Sequence, residues 1–308
     1  MKTLNITRED VSSLFPTLPR RMNKGDAGRV LCICGSYEPC GAAMCGAAYF
    51  SAAAAYKCGS GIVEIFTHRK NYESLASLIP EAVFTLYDTE KETNGEIIAR
   101  LINSIKKADS IVLGCGLGKS ELARSLVKTT LESVSCPLVI DADGLNIISE
   151  DENLWSLLST EQRKKTVVTP HPGEMSRLTG KTIPEILADT TGTAISFSKK
   201  TGIICLLKDN KTVITDGETV FVNQSGNAGM ATAGMGDVLS GIIGGLLCRN
   251  TLADSSDPER IVLCSALYRA AAAAYIHGLS GDIASKEVGE YSLMASDVLW
   301  AISAVIKE

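Results

Sequence analysis

The chain has 308 residues, 45% of them hydrophobic and 21% charged, with 27 glycines and a formal net charge of −5. Its length and apolar content suffice for one large core. The acidic balance, an aromatic content of only 5% and the lack of any Lys/Arg-rich helix argue against nucleic acid as a partner, and no apolar span of about 18 residues free of glycines and turn signals announces a membrane anchor.

In chain order, the polar first 25 residues or so read as a starting helix or surface arm, residues 1–23 at most, ahead of a single domain over 1–308. RVLCICGS, from Arg29, is a short apolar run ending in glycine, a buried strand. A small-residue helix follows from Cys40 to Lys57, closed by Gly59 and Gly61, and IVEIFT is a second strand. Leu75 to Leu86, with Pro80 inside it, ends a helix and starts a short strand. Three strand–turn–helix units come next: ADSIVLGCGLGKSELARSLVKTTLES, PLVIDADGLNIIS and TVVTPHPGEMSRLTG. GIICLLKDNKTVITDGETVFVN reads as a strand and a hairpin, and an alanine-rich helix spans Ile261 to His277. Gly281 and Asp282 then form a turn, and a last helix contains Asp297. The apolar runs are nearly continuous and alternate with helices, which predicts a mainly parallel α/β sheet covered on both faces. In such a sheet the ligand crevice lies beyond the C-terminal strand ends.

The ten cysteines do not read as a disulfide framework, because Cys32, Cys34, Cys115, Cys136, Cys205 and Cys264 lie in or beside apolar segments. With no signal peptide, they predict reduced thiols in a cytoplasmic protein. Three histidines leave no Cys/His zinc cluster.

NQSGNAGMATAGMGDVLSGIIGGLL carries the most chemistry. Gly234 and Gly236 allow a tight bend that exposes amides at a helix start, the place to hold an anion during phosphoryl transfer. Asp237 is then either a general base for a hydroxyl nucleophile or merely a helix cap. GCGLGKS resembles a phosphate loop but has three residues between Gly114 and Gly118 where four are needed, so it reads as a loop of close backbone approach. His171, between Pro170 and Pro172, is either a presented ligand contact or part of a rigid turn, with Glu174 capping the next helix. Asp141 and Asp143 read as Mg²⁺-binding through water or as an ordinary turn. Lys208, Lys211 and Thr212 suit phosphate contacts, Gly41 and Ala42 allow close approach to the backbone, and Asp282 lines the nucleotide side of the cleft or lies in a solvated loop.

Together KGDAGRVLCICGS, IDADGLN, TPHPGEMSRLTG, NQSGNAGMATAGMGDVLSG and GDIASKEVGEYSLMASDV resemble the carbohydrate-kinase-related NAD(P)H-hydrate dehydratases, from about Lys24 to the C-terminus. The resemblance implies a ribokinase-like three-layer sandwich and a cofactor-repair reaction. NADHX or NADPHX, the hydrated forms of NADH and NADPH, would be phosphorylated on the ring hydroxyl by ADP or ATP with Mg²⁺, and loss of phosphate would restore the ring. By the same match Asp237 would deprotonate that hydroxyl while the Gly234–Gly236 amides steady the phosphoryl group. Ala42, Gly118, His171 and Asp237 would contact the hydrated dinucleotide; Lys208, Asp209, Asn210, Lys211, Thr212 and Gly236 would contact the adenine nucleotide. No protein ligands to the metal are assigned. Three positions depart from the family pattern: Cys40 where a tyrosine is usual, Asp209 where glycine follows the lysine, and Ala233 where glycine is common. The resemblance further implies a homo-oligomer, a tetramer, and, with only about two dozen residues ahead of the match, no fused epimerase. A small-alcohol or vitamin-precursor kinase on the same fold is the rival reading.

Overall fold

The computed structural model describes residues 3–37, 43–249 and 265–307. The strands are β1 (Thr3–Leu4), β2 (Arg29–Ile33), β3 (Ile62–His68), β4 (Val83–Tyr87), β5 (Ser110–Leu113), β6 (Leu138–Ile140), β7 (Thr166–Val168), β8 (Ile204–Leu207), β9 (Thr212–Thr215) and β10 (Val220–Asn223). Among the described residues they form one sheet in the order β1-β10-β9-β8-β7-β6-β5-β2-β3-β4. Pairing is parallel from β8 across to β4, while β9 is antiparallel to both its neighbours.

Successive side chains of a strand point to opposite faces, and here both faces are buried. In β2, Val30 and Cys32 enter one core, Leu31 and Ile33 the other. The first core is closed by helices Cys45–Lys57, Met235–Leu247, Ala266–Val288 and Ala295–Lys307, the second by Asn94–Ile105, Glu121–Ser133, Asp143–Glu150, Pro172–Thr179 and Thr190–Thr201. This double burial is why the strands read as unbroken apolar runs. Sequence-local caps fix several helix starts: Thr93 and Glu96 form a reciprocal capping box at helix Asn94–Ile105, as do His171 and Glu174 at helix Pro172–Thr179.

Two stretches differ from their sequence reading. Residues Thr3–Leu4 pair in parallel with β10, adding a strand that two residues of sequence could not announce, before helix Arg8–Ser13. The alanine-rich helix does not stop at His277 but continues to Val288, so Gly281 and Asp282 are helical rather than a turn; Ile261 to Cys264, expected at its start, lie outside the described residues. Its internal glycines serve a close approach. A Cβ on Gly278 would sit 2.3 Å from Ser225 Oγ and 2.5 Å from the Ser225 carbonyl oxygen, because residues 225–230 run directly across the helix. Asp282 fastens the same segment, accepting from the Gly226 amide at 2.9 Å and from Asn227 Nδ2 at 3.0 Å. Gly278→Ala is therefore expected to destabilise the protein by about 1–3 kcal/mol through overpacking, read as a lower urea midpoint with an unchanged slope.

The segments after β5, β6, β7 and β8, namely Gly114–Ser120, Asp141–Gly144, Thr169–Pro172 and Lys208–Lys211, emerge at the same edge of the sheet. That edge carries the residues below.

Candidate active site

Helix Met235–Leu247 begins with Gly234 as its N-cap, at φ 89°, and Asp237 lies in its first turn. Asp237 is thus three residues past the cap position, and the capping alternative does not hold. The first amides of a helix lack intrahelical partners and carry the positive end of its dipole, so this turn offers donors to an anion next to a carboxylate. Burial and the neighbouring Asp141 push the Asp237 carboxyl up to about 6, against the opposing pull of the Cys115 thiol and Lys208. Contact with Cys34, together with burial, holds the Cys115 thiol well above the usual range.

Asp141 is the hub of the site. It is 2% exposed and accepts from Lys208 Nζ at 3.0 Å and from Ser240 Oγ at 2.8 Å. Ala142 beside it has φ 47° and ψ −116°, a rare conformation for a residue with a Cβ and a place where backbone strain is held at the end of β6. Gly114 faces this bend: at φ +113°, its Cβ would lie 2.2 Å from the Asp141 carbonyl oxygen. Gly114→Ala is expected to push Asp141 away from Lys208. That should cost about 1–3 kcal/mol of stability, to be followed by urea unfolding.

Lys208 Nζ also lies 4.0 Å from Glu174 Oε2. Burial opposes the lysine's charge, but Asp141 and Glu174 outweigh it and raise its pKa. Glu174 is 5% exposed, and burial lifts its carboxyl to about 7 against the pull of Lys208. Two carboxyls are thus held high around one lysine, and the excess of negative charge would be relieved by a cation. Among the described residues no group of three or more His, Cys, Asp or Glu could hold a metal by protein ligands alone. Mg²⁺, which usually takes one or two carboxylates and completes its shell with phosphate oxygens and water, fits such a setting.

His171 stands at the rim with half of its side chain exposed. Its Nδ1 accepts from the Gly173 amide at 3.0 Å, which leaves the proton of the neutral ring on Nε2, and burial, with Lys208 and Arg177 nearby, lowers its pKa. The imidazole is held by its own helix start and presented. The Gly118 amide is already committed, donating to Asp143 Oδ2 at 2.8 Å, so Asp143 latches the glycine loop. Lys119 faces Glu150 at 3.6 Å and Ser120 caps helix Glu121–Ser133, which leaves neither arranged as in a phosphate loop. Ala42 lies outside the described residues.

A cleft of about 410 Å³ adjoins the glycine-capped helix. Lys208, Asp209, Asn210, Thr212 and Gly236 line it; Lys211 does not. Asp209, the departure from the family pattern, has its carboxylate within 3.4 Å of Thr190 Oγ1. Ser225, Asn227 and His277 also line it and were not anticipated. His277 is half-buried, its Nε2 is shut away from solvent without a partner, and desolvation brings its pKa down to about 4. The one signal for it was a histidine standing among alanines. A larger hollow of about 530 Å³, around Arg29, Glu64 and the β4 edge, includes none of these residues.

A family model described as NAD(P)H-hydrate dehydratase matches residues 30–303. The chain belongs to the NAD(P)H-hydrate dehydratase family. It is 31% identical over 303 residues to an ADP-dependent (S)-NAD(P)H-hydrate dehydratase of Cenarchaeum symbiosum, covering 98% of this chain and 96% of that one. It is 35% identical over 289 residues to a bifunctional NAD(P)H-hydrate repair enzyme of Coxiella burnetii, covering 92% of this chain but 52% of that one. The chain therefore spans about half the length of the bifunctional relatives it matches. Among solved structures, the ADP/ATP-dependent NAD(P)H-hydrate dehydratase of Bacillus subtilis, co-crystallised with ATP/Mg²⁺, superposes with a TM-score of 0.76 at 25% identity, over 100% of this chain and 99% of that one. The expected ribokinase-like sandwich is the fold observed.

Proposed function

We propose that this member of the dehydratase family removes water from NADHX or NADPHX, using ADP or ATP as phosphoryl donor. The observation that carries this reading is the placement of Asp237, in the first turn of a glycine-capped helix, beside a cleft lined by Lys208 and Gly236. Asp237 takes the proton of the ring hydroxyl. The freed oxygen attacks the terminal phosphorus of the donor, and the bond from that phosphorus to its bridging oxygen breaks, the shortened nucleotide keeping the electron pair. The ring C–O bond then breaks with its electrons leaving on phosphate, a proton departs from the adjacent ring carbon, and the dihydropyridine is restored. The first-turn amides around Gly234 and Gly236 hold the moving phosphoryl group. Lys208 faces the donor's phosphates, His171 offers Nε2–H to the hydrated ring, and the Gly114–Gly118 loop sets the floor. Mg²⁺, with Asp141 and Glu174 as the nearest acids, would neutralise the phosphates.

Two further features of the reading, a reducing compartment and self-association, have separate support. Eight cysteines among the described residues are unpaired thiols, in keeping with a reducing, cytoplasmic setting. No helix of the described residues is long and apolar enough to cross a membrane. Tyr291, Met294 and Trp300 are large, exposed and close in sequence, which supports self-association.

The test is absorbance at 340 nm after adding the protein to purified NADHX with Mg²⁺ and either ADP or ATP. A rise that requires the nucleotide is the expected result and names the donor. A flat trace from folded, nucleotide-binding protein defeats the reading, and phosphorylation of a small alcohol under the same conditions would replace it with the kinase alternative.

A further inference from the structure

The 530 Å³ hollow lies away from the chemistry above, at the far edge of the sheet. β4 is the last strand there, paired with β3 on one side and, among the described residues, with no strand on the other. Four consecutive residues, Val83, Phe84, Thr85 and Leu86, line the hollow. Successive side chains of a strand point to opposite faces, so one hollow meets all four only by running along the open backbone edge, where N–H and C=O groups stand in a row. The two flanks of that edge differ. On the face of the second core, helix Asn94–Ile105 and the residues just after it bring Arg100, Asn103 and Lys107 to the lining, joined by Arg29 and Arg69. On the face of the first core stand Phe84 and the exposed Tyr72, whose rings meet edge-on at 5.3 Å. The one acid in the hollow, Glu64, is 2% exposed and fully engaged: it accepts from Arg29 Nε at 3.1 Å, Thr85 Oγ1 at 2.7 Å and Ser104 Oγ at 2.6 Å. Arg100 pairs with Glu92 and donates to the Leu86 carbonyl, which closes one end of the edge. Arg69 is 3.9 Å from Asp88, which Lys91 shares at 3.7 Å, and Lys107 has no ion-pair partner among the described residues. Positive charge at Arg69 and Lys107 is therefore left over, on a chain whose net charge is −5.

We infer that this edge docks an extended segment of a partner protein as an added strand beside β4, and that the segment alternates acidic and apolar residues. Main-chain hydrogen bonds to the open edge supply affinity, and alternate side chains supply specificity. The acidic side chains of the added strand face Arg100 and Lys107, and the apolar ones extend the surface of Tyr72 and Phe84. β4 is five residues long, so the matching segment is about as long, roughly 17 Å. A second copy of this chain fits poorly. Antiparallel pairing of two β4 edges across a two-fold axis would carry each face of the sheet into the same face of the copy and set Arg100 and Lys107 beside their own counterparts, a like-charge arrangement. The basic flank thus keeps copies apart while drawing an acidic strand in.

Fluorescence anisotropy of a labelled peptide, Glu-Val-Glu-Val-Glu-Val-Glu, titrated with the full chain tests this. A control peptide has proline in place of the central valine, which keeps every charge but removes a ladder donor and disfavours a paired strand. The protein variant is Arg69→Glu/Lys107→Glu, two exposed lining residues remote from the proposed active site. Saturable binding of the first peptide to the unmodified chain is expected, weakened about tenfold or more both by the proline and by the double variant. Should the charge reversal prevent folding, Arg69→Gln/Lys107→Gln carries the same comparison with a smaller loss. Equal affinity for the two peptides overturns strand addition, and equal affinity of the two proteins overturns the basic edge as the site. If neither peptide binds, the proposal falls; pyrophosphate that then binds the unmodified chain and not the variant, by titration calorimetry, would make the hollow a small-anion site instead. A molar mass in light scattering that changes with the double substitution would place a second copy on this edge and likewise overturn the proposal.

Discussion

Asp237→Asn is expected to abolish dehydration while making the protein more stable. Loss of a positioned general base costs about 10²–10⁴-fold, and the fall should appear in kcat with donor affinity retained. The gain in stability follows from the titration of this carboxyl. Its folded pKa, about 6, lies above its ordinary value of 3.8 because burial and Asp141 disfavour its charge. The folded state therefore binds the proton more tightly than the unfolded one, and the group's contribution to stability falls as pH rises from about 4 to about 6. At pH 7 the ionised Asp237 is a net cost, discounted for its partial exposure to about 1–2 kcal/mol; asparagine removes it. Thermal unfolding at pH 7 should show a Tm a few degrees higher in the variant, with the difference shrinking toward pH 4. The rate profile of the unmodified enzyme runs the other way: kcat/KM should decline as pH drops through about 6, where the base becomes protonated. A variant that keeps activity, or one that loses stability at pH 7, would contradict the assignment.

Lys208→Met should be the most damaging substitution to the fold among the site residues. It leaves Asp141, 2% exposed, and Glu174, 5% exposed, facing each other without their cation. Removing one partner of a buried pair costs about 3–5 kcal/mol, chiefly because the remaining charge is stranded. The double variant Lys208→Met/Asp141→Asn should recover most of that loss in urea unfolding, since the stranded charge goes too. Neither variant should recover function. Lys208 lines the donor cleft, and removal of its charge is expected to weaken ADP or ATP binding by about 10²-fold or more in calorimetric titration. Stability that returns without nucleotide binding separates the lysine's role toward the ligand from its role in the fold; if binding returned along with stability, Lys208 would be a structural residue only.

Local chemistry made much of this legible in the residues. The unbroken apolar runs required strands buried on both faces, and the loops between Gly114 and Ser120, at Asp141–Gly144, at Thr169–Pro172 and at Lys208–Lys211 had to gather at one edge, because strand ends in a parallel sheet share a side. The glycines before Asp237 marked a helix N-terminus with donors for an anion, a property of a dozen adjacent residues. Spacing alone could not settle whether Asp237 capped its helix, since that depends on which glycine turns first, and Gly234 does. Nor could it show that Asp141, Glu174 and Lys208 share one buried space, for each comes from a different strand end. The Gly114–Ser120 loop reads as one residue short of a phosphate loop, and in the fold Lys119 faces Glu150 while Ser120 caps a helix. Gly278 and Gly281 read as the end of a helix because glycine usually breaks one; a crossing segment at residues 225–230 made them its closest contact points instead. Sequence by itself determined most of the elements, the edge and the carboxylate proposed to react. Only the tertiary structure decided the raised carboxyls, the enclosed His277 Nε2 and the cleft it lines, because burial and charge proximity arise between residues far apart in the chain.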